Sequence, residues 1–454
     1  MRHFALALAV LSSLLVGLSS AGIRPHYGGT LRLKMRAALT ALDPADERTA
    51  DQVALAHISA LILDTLVTLD DSGKPQPSLA LSWHSELGHH RWTFDLRGGA
   101  RLQNGSLLTA DIVAASLRFS NPGWKVIADG STVAVESDDP LPDLPVVLAL
   151  PRNSIAVRAG STLLGTGPFA IAEWQPGKML KLIARDDSWH GRPFVDSIEI
   201  EMDRNLHDQL IALDLGKADL IEMPPDQAHR AMAQGRRIAK SAPLILIALV
   251  FQREPLSEDE IKLRRALSLS INRKSLNSVL LQADGEPTAS LLPNWLTGYG
   301  FLFPTTPELR KARELRDSVR QTPTWSLNYD HEDPVARLLA ERIALNARDA
   351  GLSLQPTIAS NSDVQLLSIP LESIHARTAL NAISTRTATN IPQPKGSSLE
   401  DLYQSENKFL ALQRVMPLLH VRVNYGISPT VKNFTQHSSG GWDLGDVWLG
   451  AAKP

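Results

Sequence analysis

The stretch at residues 243–251, Pro-Leu-Ile-Leu-Ile-Ala-Leu-Val-Phe, constrains the fold more than any other. Its apolar residues run almost without interruption instead of alternating, which is the pattern of a strand buried on both faces. The rest of the chain agrees, because strand-like and helical patterns alternate along it, as they do in an α/β architecture with mixed sheets. Residues 29–34 read as a strand, residues 53–66 carry apolar side chains at helical spacing, and residues 66–69 are β-rich. Residues 91–102 hold two short strands around Gly98-Gly99, a hairpin signal. Thr109, followed by Asp111, is placed to cap a helix over residues 110–118. Ser257 and Glu260 match a capping box opening the next helix, which carries Leu263, Ala266 and Leu267. A strand at 325–329 and a long helix at 334–350, stopped by Gly351, follow. Residues 384–398, rich in Ser, Thr, Asn and Pro, form the most loop-like part of the chain, and residues 415–423 and 431–434 are apolar again.

With 454 residues the chain exceeds what a single core supports, so two or more lobes are expected. A net charge of −2 gives no electrostatic reason to expect nucleic acid. At the N-terminus, Arg2, an apolar run at 4–18 and Ser19-Ser20-Ala21 match the three parts of a secretory signal, with cleavage expected near Ala21. That apolar run is shorter than the roughly 20 residues a membrane span needs. Cysteine is absent, which excludes a disulfide framework and a lipid-modified N-terminal cysteine.

Catalytic and metal signals are weak. The histidines show no H-E-x-x-H or other tight ligand spacing, and His89-His90 adjoins a turn, where a solvated role is expected. Ser405 and Lys408 match S-x-x-K, but the companion motifs of serine acyl enzymes are missing. No G-x-S-x-G elbow, Walker loop or paired dinucleotide fingerprint occurs. The expectation is a protein that is not an enzyme, with no catalytic residues, no cofactor and no metal-ligating residues, while a metal chelate as ligand stays open.

A set of motifs in fixed order carries a family resemblance. Gly165-Thr166-Gly167-Pro168-Phe169 leads into a strand that ends in Trp174-Gln175-Pro176-Gly177, and Trp189-His190-Gly191-Arg192-Pro193 follows. Upstream stand Gly28-Gly29-Thr30-Leu31-Arg32, Leu42-Asp43-Pro44, Leu79-Ala80-Leu81-Ser82-Trp83, Trp92-Thr93-Phe94-Asp95-Leu96-Arg97 and Leu108-Thr109-Ala110-Asp111-Ile112. Downstream, Leu263-Arg264-Arg265-Ala266-Leu267 runs on to Ile271-Asn272-Arg273. Together they resemble the extracellular solute-binding proteins of family five, the peptide/nickel class.

The resemblance implies a type II periplasmic-binding-protein fold, two lobes with a hinge plus a small inserted subdomain. Lobe I would comprise residues 22–49, 165–240 and 407–454, the inserted subdomain residues 50–164, and lobe II residues 241–406. Gly165 and Gly167 would permit positive φ and close backbone approach, and Trp83, Trp92, Trp174 and Trp189 would be framework anchors. His375 and His420 fall in segments near the expected cleft. An acidic motif that peptide binders of the class carry late in lobe II has no matching aspartate here, and Glu372 is the nearby carboxylate. Ligand contacts are expected from Leu39, Thr40, Ala41, Trp295, Tyr299, Glu372, His375, Arg422, Asn424 and Tyr425, with Arg422 suited to a carboxylate and the aromatic rings to apolar groups. The implied function is the periplasmic binding component of an ABC importer, a monomer that takes a small-molecule or peptide ligand and delivers it to an inner-membrane permease. The alternative is a ligand sensor with the same fold that no longer serves transport.

Overall fold

The structure, a computed structural model, describes residues 25–46, 51–159, 162–392, 394, 396, 398–436 and 440–450. The expected signal segment and its cleavage site lie outside the described residues. Eleven strands form one mixed sheet: β1 Thr30–Lys34, β2 Phe169–Gln175, β3 Met179–Ala184, β4 Ser197–Glu201, β5 Leu220–Met223, β6 Arg237–Phe251, β7 Gly285–Pro287, β8 Thr324–Asn328, β9 Ser353–Thr357, β10 Val364–Pro370 and β11 Val415–Ile427. Their spatial order is β2-β3-β4-β1-β5-β11-β6-β10-β8-β9, with β7 added to β11. β1 runs parallel to β4 and β5, and β8 runs parallel to β9 and β10, while β6 and β11 are antiparallel to each other.

Nine helices matter for the packing: α1 Gln52–Ile62, α2 Ala110–Ser120, α3 Leu206–Asp214, α4 Pro225–Ala233, α5 Glu258–Ser270, α6 Leu309–Asp317, α7 Pro334–Asp349, α8 Ala376–Arg386 and α9 Leu399–Leu410. The β1–β5 half of the sheet packs α1 and the C-terminal Trp442, Leu444 and Val447 into one core, and α3 and α4 into another. In the other half, β6 divides its side chains. Ile247, Leu249 and Phe251 join α5, α6 and α7, whereas Leu246, Ala248 and Val250 join α8 and α9. This division explains the uninterrupted apolar run, because neither face of the strand meets water. A separate unit has its own core around Phe94, Val113, Leu117 and Val133. There α2 packs with a four-stranded antiparallel sheet ordered Ala80–Ser85, Arg91–Leu96, Thr132–Glu136 and Lys125–Asp129.

Several local expectations change. The hairpin around Gly98-Gly99 does not form: Arg91–Leu96 pairs with Ala80–Ser85 and Thr132–Glu136, and only an isolated bridge joins Arg101 to Leu107. The glycines instead start a tight loop in which Leu108 N donates to Ala100 O at 2.8 Å. α1 stops at Ile62, and Leu63 is extended. Ile62 O accepts from Gln103 Nε2 at 2.7 Å and from Gly167 N at 3.2 Å, so a distant turn competes for the helix end. The capping box is half made. Ser257 Oγ accepts from Glu260 N at 3.2 Å, but the Glu260 carboxylate takes Leu256 N and the side chains of Arg253 and Arg264. Residues 384–386 complete α8 instead of opening a loop.

Candidate functional site

β6 and β11 are the strands that pass from one half of the sheet to the other. Their register breaks between Lys240 and Pro243 and again between Pro243 and Ile245. Pro243 brings no N–H to the ladder, and Ser241 repairs the gap by accepting from Val423 N at 2.9 Å with its hydroxyl oxygen. A polar set surrounds the break. Lys240 Nζ lies 2.6 Å from Asp284 Oδ1, and Asn424 Nδ2 donates to Asp284 Oδ2. Arg422 donates to Ser241 O at 2.9 Å and to Glu286 Oε1 at 3.3 Å. Trp295 Nε1 donates to Pro243 O at 3.2 Å, and Leu371 N donates to Leu244 O at 2.7 Å.

Beside this junction, on the β1 half, Tyr425 and His57 are buried with their polar atoms 3.4 Å apart, and the His57 ring stacks on Trp442 at 4.4 Å. Burial holds His57 neutral, lowering its pKa to about 4, while its Nε2 bonds Gly440 O at 2.9 Å. Gly440 has φ +86, and a Cβ there would stand 2.7 Å from Leu244 Cδ1, so only glycine lets this segment reach β6. Asn424 Oδ1 and Trp442 Nε1 are buried with no hydrogen-bond partner among the described residues.

The segment between β10 and α8 faces the separate unit. Glu372 Oε1 accepts from Arg386 at 3.0 and 3.1 Å, so its charge is matched. His375 Nδ1 lies 3.0 Å from Thr378 Oγ1, and burial lowers its pKa. Arg377 Nε is 3.3 Å from Asp143 Oδ2, and Ile374 O lies 3.1 Å from where a Cβ on Gly73 would stand.

The ten expected contact residues therefore fall into three groups. Trp295, Arg422 and Asn424 are at the strand junction, with Trp295 39% exposed. Glu372 and His375 stand on the segment facing the separate unit. Leu39, Tyr299 and Tyr425 are in cores: Tyr299 donates to Glu406 Oε2 at 2.9 Å, and Leu39 O accepts from Gly177 N at 2.6 Å. Thr40 is exposed and Ala41 half-buried beside Leu39. His420 is buried near the junction with Nε2 3.0 Å from Leu291 O. The sequence reading did not single out Ser241, Asp284, Glu286, His57, Asp143, Arg377 or Trp442. The local signal for the register break is the pair Ser241 and Pro243 at the start of the apolar run.

Ser405 is buried and donates to Pro392 O, whereas Lys408 is exposed, so the S-x-x-K match has no activated hydroxyl. Among the described residues no three His, Asp or Glu groups cluster as metal ligands. A surface groove of about 480 Å³ is lined by Met232, Arg236, Arg237 and Phe434. Its arginines are engaged by Asp214 and by Val431 O, and it is lined by none of the polar groups that surround the register break.

Two sheet halves with separate cores, joined by paired strands through a polar register break, form a type II periplasmic-binding fold. The chain belongs to the bacterial extracellular solute-binding proteins, family 5: the family model, described as family 5 Middle, matches residues 74–408. It is 22% identical over 300 residues to the nickel-binding protein NikA of Staphylococcus aureus, an alignment covering 62% of this chain and 59% of that protein. It is 23% identical over 343 residues to the probable D,D-dipeptide-binding periplasmic protein DdpA of Escherichia coli, covering 67% and 66%. Both alignments span less than two thirds of the relative's length. The dipeptide-binding protein from Pseudoalteromonas sp. SM9913 in complex with Met-Leu shares the fold, with TM-score 0.79, 14% identity and coverage of 93% of this chain and 100% of that one. No helix among the described residues is long and apolar enough to cross a membrane.

Proposed function

We propose that this protein is the periplasmic binding component of an ABC importer, capturing a peptide-like or other small polar solute and delivering it to a membrane permease. The observation that carries the reading is the family match over residues 74–408. The paired strands β6 and β11, with their broken register, supply the hinge such a role requires. Lobe I takes residues 22–63, 165–240 and 422–454, the inserted subdomain residues 64–164, and lobe II residues 241–421; the expected bounds at 50 and 407 move because α1 packs in the core of the β1 half, and Phe409, Val415, Met416, Leu418 and Leu419 pack in the cores of the far half. An N-terminal signal cleaved near Ala21 directs the chain to the periplasm, where it acts as a monomer. Ligand is held between the junction residues Trp295, Arg422 and Asn424 and the segment bearing Glu372 and His375. No observation favours the sensor alternative.

Binding to the folded state raises stability by RT ln(1 + [L]/Kd), about 2.7 kcal/mol at 100-fold excess over Kd. A thermal-shift panel of di- to pentapeptides, amino acids, sugars, and nickel with and without histidine tests the reading. A rise in melting temperature with members of one class is expected. A folded protein that responds to none of the panel would refute the proposed solute class.

A further inference from the structure

The inserted unit and the far half of the sheet bury their apolar residues in separate cores, yet side chains meet across the gap between them. Asp143 precedes a single helical turn, Leu144–Val147, and makes no side-chain capping bond to it, so its carboxylate is free for another partner. That partner is Arg377 in the first turn of α8, 3.3 Å away. Arg377 is held in place by a second bond, from Nη2 to Gly396 O at 2.6 Å. His375, two residues earlier, also lies near Asp143, and burial lowers its pKa, but the direct contact with the carboxylate is made by the Arg377 guanidinium. Alongside, Gly73 with φ +78 lets Ile374 O approach to 3.1 Å of the missing Cβ. Asp143 and Arg377 keep 29% and 23% of their side-chain surface exposed, which makes the pair reversible.

We propose that the Asp143–Arg377 ion pair is a latch that closes the inserted unit onto the far half in the absence of ligand. It rests on the lobe division proposed above, in which the inserted unit moves with the β1 half and α8 moves with the other. A half-solvated pair of this kind shifts the open-to-closed ratio by up to about five-fold, enough to bias the cleft without locking it.

The chain has no cysteine, so two introduced ones report without interference. Leu87→Cys in the inserted unit and Arg310→Cys on α6 both sit at exposed positions and accept nitroxide labels. Distance distributions between the labels, measured by pulsed electron resonance on the full ligand-free chain, read the ratio directly. Asp143→Asn and Arg377→Gln are each expected to raise the long-distance fraction relative to the short one by up to about five-fold. The reversed pair Asp143→Arg with Arg377→Asp is expected to restore the parent distribution. Distributions unchanged in either single variant, or a shift that the reversed pair does not restore, would overturn the latch. The measurement contains no ligand, so failure of the importer reading registers in the thermal-shift panel and not here.

Discussion

Gly165 and Gly167 illustrate how a residue legible in the sequence acquires its reason from the structure. Both were expected to offer positive φ or close approach, and only the second holds, since neither is among the residues with positive φ. A Cβ on Gly165 would sit 2.4 Å from Ile62 O, and one on Gly167 would sit 2.6 Å from Ile62 C, both against backbone that has no rotamer to change. Gly165→Ala should therefore destabilise the protein by about 1–3 kcal/mol or more, measured by urea unfolding. Gly98→Ala, where a Cβ meets nothing within 4 Å, is the control expected to stay near neutral. Glu406 carries a second residue-scale consequence. It is fully buried, accepts from Tyr299 and the Leu291 N–H, and has its pKa pushed up to about 7 by burial. The folded state thus holds a proton that the unfolded carboxyl has released, so this contribution to stability is complete below the ordinary carboxylate range and fades as pH rises through about 7. Glu406→Gln should remove a loss of roughly 3 kcal/mol between pH 4.5 and 7.5. An unaltered slope of unfolding free energy against pH would contradict the assignment.

At the scale of elements, β6 and β11 do two incompatible things, which the register break reconciles. Each is a continuous strand that belongs to two packing units, yet a continuous ladder would resist bending between them. Pro243 interrupts the ladder and Ser241 keeps the interruption from leaving a bare N–H. Ser241→Ala leaves the half-buried Val423 N without its partner, at a cost of about 1 kcal/mol. A Ser241→Thr variant, which retains the hydroxyl, should recover part of that loss in the same denaturant titration. The apolar run at residues 243–251 announced the strand and its burial on both faces. It did not announce that the strand begins at Arg237, because residues 237–240 are half-exposed and polar enough to read as loop. The false hairpin at 98–99 has the converse cause: two glycines supply a turn, but the partner strands for Arg91–Leu96 are chosen by the core around Phe94.

For the whole molecule, acid sensitivity sums opposing groups. His57 and His420 are buried neutral with pKa values lowered to about 4 by burial, each bonded to a backbone carbonyl. Unfolding lets both take up protons below their ordinary pKa, so they contribute stability that is lost as pH falls from about 6.5 toward 4. Glu406 works the other way over much of that range, and two imidazoles outweigh one carboxyl. The melting temperature should therefore fall between pH 6.5 and pH 4.5, and fall less steeply in His420→Gln, which keeps a donor for Leu291 O; a steeper fall in that variant would be the wrong sign. The sequence alone determined the α/β class, the framework order and the family resemblance, because turns, caps and two-sided burial are written in residues close together along the chain. Trp295, Arg422 and Asn424, expected from the sequence as ligand contacts, lie at the strand junction, a position that the fold and not the sequence gives them. Only the tertiary structure decided that Tyr299 and Tyr425 are core residues, that Glu372 is matched by Arg386, and that Asp143 meets Arg377. Those pairings depend on how separate cores are set against one another, a relation between distant segments that no local pattern of residues encodes.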